Sequence, residues 1–171
     1  MFATCAVPLL VAGCSSDDPT PRISPTNSVA TTASSSAPTT SPTASSRSPE
    51  QTVRAWVKAR NAALQDGDTT AVDALAATGC EACQNSTDPI RQVYADGGHF
   101  ETDGWRLVAS RIKSASSGRA TVATAIKYSA GRTVQEAGAQ PVTYGVERHI
   151  VMFKLVTVSG DWRIGFIGYL S

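Results

Sequence analysis

Between Ser15 and Ser48, 18 of 34 positions are Ser or Thr and five are Pro, and the only sizeable aliphatic side chains are Ile23 and Val29. Such a stretch cannot bury enough apolar surface to offset the entropy lost on ordering. It therefore confines any packed core to the residues after Ser48, and the change of composition there is abrupt: "SPEQTVRAWVKARNAALQDGD" begins a patterned sequence that runs to the last residue. The 123 residues from 49 to 171 are room for one ordinary domain. As a random coil the preceding tract spans roughly 30 Å, and as extended polyproline II about 100 Å. Its composition also resembles that of O-glycosylated stalks, and an unmodified linker is the alternative.

The residues before the tract account for it. The chain opens "MFATCAVPLLVAGCSSDD", with an apolar run from Ala6 to Ala12 that is too short to cross a bilayer and fits the core of an export signal. The "LVAGC" at residues 10–14 resembles a bacterial lipobox. That resemblance implies cleavage before Cys14, leaving residues 1–13 as a signal peptide, and a diacylglycerol thioether on Cys14. No Lys or Arg precedes Cys14, a departure from the usual signal. Two or three acyl chains, at about 0.8 kcal/mol per buried methylene, would hold the protein on the extracytoplasmic face of a cell membrane. Residues 14–48 are then the lipidated cysteine and its tether.

The same reading leaves Cys80 and Cys83 as the only free thiols of the mature chain, in a compartment where disulfides persist. A C-x-x-C pair has three uses. A redox pair needs thiolate-favouring surroundings, but Glu81 lies between the cysteines and no strand–helix context precedes them. A structural zinc site needs four ligands, and the only other strong candidates, His99 and His149, are distant in sequence. A disulfide closing the turn between two helices, where Gly79 loosens the backbone, is the reading preferred; no metal and no cofactor are expected.

The patterned region divides in two. Ser48, Pro49 and Gln51 form a helix start with a capping box, apolar residues follow at Val53, Trp56, Val57 and Leu64, and Gly67 ends the helix. A short second helix carries Val72 and Leu75. A third, beginning near Cys83 or Asp88 after a cap drawn from Asn85 to Pro89, carries Ile90, Val93 and Tyr94 and stops at Gly97–Gly98. From Trp105 the period becomes two. Trp105 onward and Arg119–Tyr128 read as a hairpin, a short strand falls near Thr133–Gln135, Val142–Val158 reads as one long strand, and Trp162–Leu170 closes the chain after a Ser159–Asp161 turn. Gly145, Gly165 and Gly168 mark places where a strand can bend.

Helices followed by an antiparallel sheet make an α+β fold. The order of elements and the terminal Gly160-Asp161-Trp162-Arg163-Ile164 resemble the NTF2-like (SnoaL-like) superfamily. This implies a cone of three N-terminal helices on a curved antiparallel sheet of four to six strands. The whole layout also resembles a group of actinobacterial surface lipoproteins of unknown function.

A net charge of +1 and the absence of any Lys/Arg run leave no electrostatic footprint for nucleic acid. Glu147, His149, Val151 and Phe153 share one face of the long strand. If that face looks inward, a carboxylate and an imidazole sit in one cavity. Trp56, Tyr94, Tyr128, Glu147, His149 and Phe153 are the pocket-lining candidates, and no catalytic residue is assigned. Ile150–Phe153, apolar on both faces, fits a homodimer through the sheet. The expectation is a membrane-anchored binding or interaction module for an unidentified protein or small ligand. The alternatives are an acid/base enzyme using the cone and an extracytoplasmic thiol–disulfide protein.

Overall fold

A computed structural model describes residues 47–170; the expected leader, Cys14 and the tether up to residue 46 lie outside the described residues. Helix α1 spans Pro49–Asp66, α2 Thr70–Asp73 and α3 Glu81–Ala95. Seven strands follow: β1 Gly97–Thr102, β2 Trp105–Ser116, β3 Arg119–Tyr128, β4 Gly131–Glu136, β5 Val142–Tyr144, β6 Glu147–Val158 and β7 Asp161–Leu170. The α+β architecture expected from the order of elements is the one that forms, with helices packed on curved antiparallel sheets.

Helix α1 begins as its cap predicts. The Gln51 amide donates to Ser48 Oγ at 3.3 Å, and the Ser48 amide donates to Gln51 Oε1 at 2.8 Å. Gly67 closes it in the left-handed region at φ 78°, its N–H donating to Ala63 O at 2.8 Å. A Cβ at Gly67 would collide with the Tyr94 ring, so the glycine serves both the turn and the packing of α3.

The strands differ from the single sheet expected. They form two: β2-β3-β6-β7, and a smaller β1-β4-β5. Two elements account for the difference. β1 was hidden because Gly97–Gly98 reads as a helix stop. In the structure Gly98 lies against the backbone of Val134 and Gln135, an approach that any Cβ would block. The stretch from Val142 to Val158 is two strands, interrupted at Gly145–Val146, and its first part pairs with β4 rather than β3. Gly165 sits at the register shift between β6 and β7, where Lys154 pairs with Phe166 and Leu155 with Ile164.

The core lies between α1 and the inner face of the larger sheet. Val53, Trp56 and Val57 meet Val122, Ile126, Val151, Phe153, Leu155 and Ile164 there. The outer face leaves Ile150, Phe166 and Leu170 exposed.

Helix α3 starts earlier than its pattern suggests, at Glu81, and Asn85 to Pro89 lie inside it rather than capping it. Pro89 lies inside the helix and removes one of its hydrogen bonds. Thr87 Oγ1 donates to Cys83 O at 3.3 Å, and Arg91 joins Asp73 of α2 at 2.8 Å and also Asp88. Cys80 is the N-cap of α3 and Cys83 lies in its first turn; the two sulfurs are 2.04 Å apart, at bonding distance. The clip therefore staples the start of α3 rather than the turn between two helices. It also sits where residues 75–77 run along the edge of β7: the Ala77 amide donates to Ile164 O, and the Ile164 amide to Leu75 O, each at 2.8 Å. Closing so small a ring contributes about 2 kcal/mol in the loop-entropy description. Urea denaturation with and without a strong thiol reductant should therefore differ by about that amount, and identical curves would contradict the staple.

Candidate functional site

Burial falls along β6, from Val151, Phe153 and Leu155 in the core to a half-buried His149 and an exposed Glu147. Near that end of the sheet lies a cavity of about 330 Å³, within the range of small-ligand sites. Its walls come from α1, from β1 and β2, from the end of β3, from Thr133 of β4, from β5 and Gly145, and from Glu147 of β6 and Tyr169 of β7.

Trp105 forms much of the wall. Asn61 fixes the start of β2 against α1: its Nδ2 donates to Trp105 O at 2.7 Å, and the Trp105 amide donates to Asn61 Oδ1 at 2.9 Å. The Tyr128 ring stacks on Trp105 with centroids 4.8 Å apart and planes 4° from parallel. His149 follows at 4.7 Å from Tyr128, and Tyr169 meets His149 edge-on at 5.7 Å. The Tyr128 hydroxyl donates to the Tyr169 hydroxyl at 2.9 Å. Burial, and then that hydrogen bond, raise the Tyr128 phenol well above its ordinary range, so it stays protonated. His149 Nε2 lies 2.8 Å from Glu147 Oε2.

The cation of the cavity is Arg60. It sits one turn beyond Trp56 on the apolar side of α1, and its guanidinium carbon is 4.2 Å from the centre of a Trp105 ring. Arg60 Nε is buried without a hydrogen-bond partner among the described residues. Desolvation lowers its pKa, with Tyr128, Tyr169 and Tyr144 opposing that shift in decreasing order. A guanidinium does not deprotonate in proteins, so this is a cation held in poorly solvated surroundings.

Of the six pocket candidates, Tyr128 and Glu147 line this cavity. His149 stands behind Tyr128 and Tyr169. Trp56 and Phe153 are wholly buried in the core beneath, with ring centroids 5.8 Å apart. Tyr94 does not line the cavity itself; it packs on the wall residue Phe100 and donates its hydroxyl proton to Leu64 O at 2.9 Å. Periodicity marks a face as inward without separating its sealed end from its open one, which explains the mixture. Arg60, Trp105, Tyr144 and Tyr169 were not among those candidates. The available signal for Arg60 was a basic residue four positions after Trp56 and three after Val57, within the apolar stripe. Tyr169 follows Ile167 at strand spacing.

His99 does not approach this group; it pairs with Glu101 on its own strand at 3.2 Å. Among the described residues no three His, Cys, Asp or Glu side chains converge as metal ligands would. Cys80 and Cys83 are 4% and 2% exposed, which shields their sulfurs from an attacking thiolate.

No protein-family profile matches the chain. No curated protein matches it by sequence. Solved structures do resemble it. The intermembrane space region of the chloroplast protein ARC6 superposes with a TM-score of 0.55 at 16% identity, covering 71% of this chain and 93% of that one. An NTF-2-like protein of unknown function from Shewanella oneidensis MR-1 gives 0.47 at 13% identity, covering 71% and 98%. Aln2 from a Streptomyces species gives 0.46 at 16% identity, covering 73% and 93%. The likeness to the ARC6 region is one of fold.

Proposed function

We propose that residues 49–170 form a small-ligand-binding module, carried on a lipoprotein that Cys14 anchors to the outer side of a cell membrane. The observation that carries the binding reading is the cavity itself: a concave site with a preformed aromatic wall and a half-buried Arg60 whose Nε has no hydrogen-bond partner among the described residues. Asn61 and the stacked rings hold that wall before any ligand arrives, which lowers the ordering cost of binding.

A panel of small acids, amides and alcohols tests the reading through tryptophan emission and thermal unfolding of the whole protein. A ligand present at a hundred times its Kd stabilises by about 2.7 kcal/mol, a rise of several degrees in Tm. A panel that moves neither emission nor Tm overturns the proposal. The Glu147–His149 contact favours a second reading, in which the pair relays a proton to or from a bound substrate. A bound compound recovered unchanged after long incubation would sink that alternative and leave the binding module standing.

The anchor rests on the "LVAGC" motif and the Ser/Thr/Pro tract. Cys14→Ala should move the protein from the membrane fraction to the soluble fraction, and an unchanged distribution would refute it. The buried position of Cys80 and Cys83 counts against the thiol–disulfide alternative.

A further inference from the structure

We infer that the cavity selects a monoanion, a carboxylate borne on a largely apolar body, with the carboxylate set against Arg60. This rests on the binding reading above and adds the chemistry of what is bound.

The argument begins with charge. Arg91, Arg132 and Arg163 each have a carboxylate within 4 Å, at 2.8 Å from Asp73, 2.7 Å from Glu101 and 3.9 Å from Asp161 respectively. The other described arginines have no carboxylate within that distance, and all of them are exposed except Arg60, which is half-buried. Its buried Nε has no acceptor among those residues either. A partly desolvated cation whose protein partner is an aromatic face rather than a carboxylate is costly, and an anion entering the cavity lowers that cost. The guanidinium fork presents parallel N–H donors that suit the two oxygens of a carboxylate.

Valence is set by the rest of the lining. Among the described residues, Arg60 is the only cation on the cavity wall. Glu147 lines the same cavity, so a second negative charge on the ligand would meet repulsion there. One charge is matched, and a phosphomonoester carries more.

The apolar character is set by the rings. Trp105 and Tyr128, stacked on each other, form with Phe100, Tyr144 and Tyr169 a mainly apolar surround. Because Tyr128 donates to Tyr169, the Tyr169 hydroxyl proton is left for an acceptor on the ligand. A volume near 330 Å³ suits a body of one or two fused rings.

Isothermal titration of the full protein with 2-naphthoate, 2-naphthamide and 2-naphthyl phosphate tests this. Naphthoate should bind at least tenfold tighter than either analogue. Arg60→Met should weaken naphthoate at least tenfold and leave naphthamide unchanged, and Arg60→Lys should fall between. Because methionine removes an unmatched cation and keeps much of the packing, the variant should melt no lower than the parent. If it fails to fold, the Arg60→Lys affinities and the order of the three compounds on the parent protein still decide. Naphthamide binding as tightly as naphthoate would overturn the anion inference while leaving the binding module intact. Naphthyl phosphate binding tightest would overturn the monoanion. Failure of all three on folded protein would overturn this inference, and failure of the broader acid, amide and alcohol panel would separately remove the binding reading.

Discussion

Alanine at Trp56 should cost about 4 kcal/mol, the largest loss expected from any single truncation in the domain. The indole is wholly buried on the inner face of α1, with Trp105 and Phe153 each 5.8 Å away between ring centroids. Removing it deletes transfer free energy and opens a cavity that rigid neighbours on a helix and a sheet cannot collapse to fill. Against a total stability of about 5–15 kcal/mol, the variant would be marginal. Trp56→Phe should cost clearly less. Its Nε1 has no hydrogen-bond partner among the described residues, so phenylalanine sacrifices volume while relieving an unsatisfied buried donor. Urea midpoints for the two variants check the claim, and equal losses would mean that the indole nitrogen does have a partner.

The second large effect is expected at Asn61. Alanine there leaves both the N–H and the C=O of Trp105 without their partners, on a residue only 8% exposed. Each orphaned group costs about 1–3 kcal/mol, and the partial exposure of this pair puts the sum at about 2–3 kcal/mol. The consequence reaches the cavity, because the same two bonds fix the Trp105 wall beneath Arg60. Near-UV circular dichroism should therefore lose intensity from the Trp105–Tyr128 stack under conditions where the far-UV spectrum persists. An unaltered near-UV spectrum would show that the strand holds Trp105 without Asn61.

The two substitutions also mark what was legible in advance. Trp56 declared itself through helical spacing with Val53 and Val57, and the limits of α1 through Ser48, Gln51 and Gly67, because capping and amphipathicity are local properties. The hairpin of β2 and β3 was equally local. β1 was not: a Gly-Gly pair that reads as a stop becomes a strand because β4 lies beside it, and that pairing spans more than thirty residues. The helix around Pro89 has a comparable long-range tie, since Arg91 reaches the Asp73 carboxylate of α2. The cavity was the least legible feature. Tyr128 and Glu147 could be placed on an inward face, but whether they were sealed or open depended on where the helices end above the sheet.

By itself the sequence determined the helical and strand-like halves of the domain, the faces that turn inward, and the C-x-x-C spacing that puts Cys80 and Cys83 within reach of each other. All of these come from composition, from periods of 3.6 and 2, or from short spacings. Only the tertiary structure decided that the strands split into two sheets, that Cys80 and Cys83 clip one helix start, and that Arg60 faces a cavity with no carboxylate within 4 Å of it among the described residues. A residue's period tells which side of an element it occupies. Its solvation and its partners are set by elements far away in the chain, and for Arg60 these supply the Trp105 ring but no acceptor for its buried Nε among the described residues.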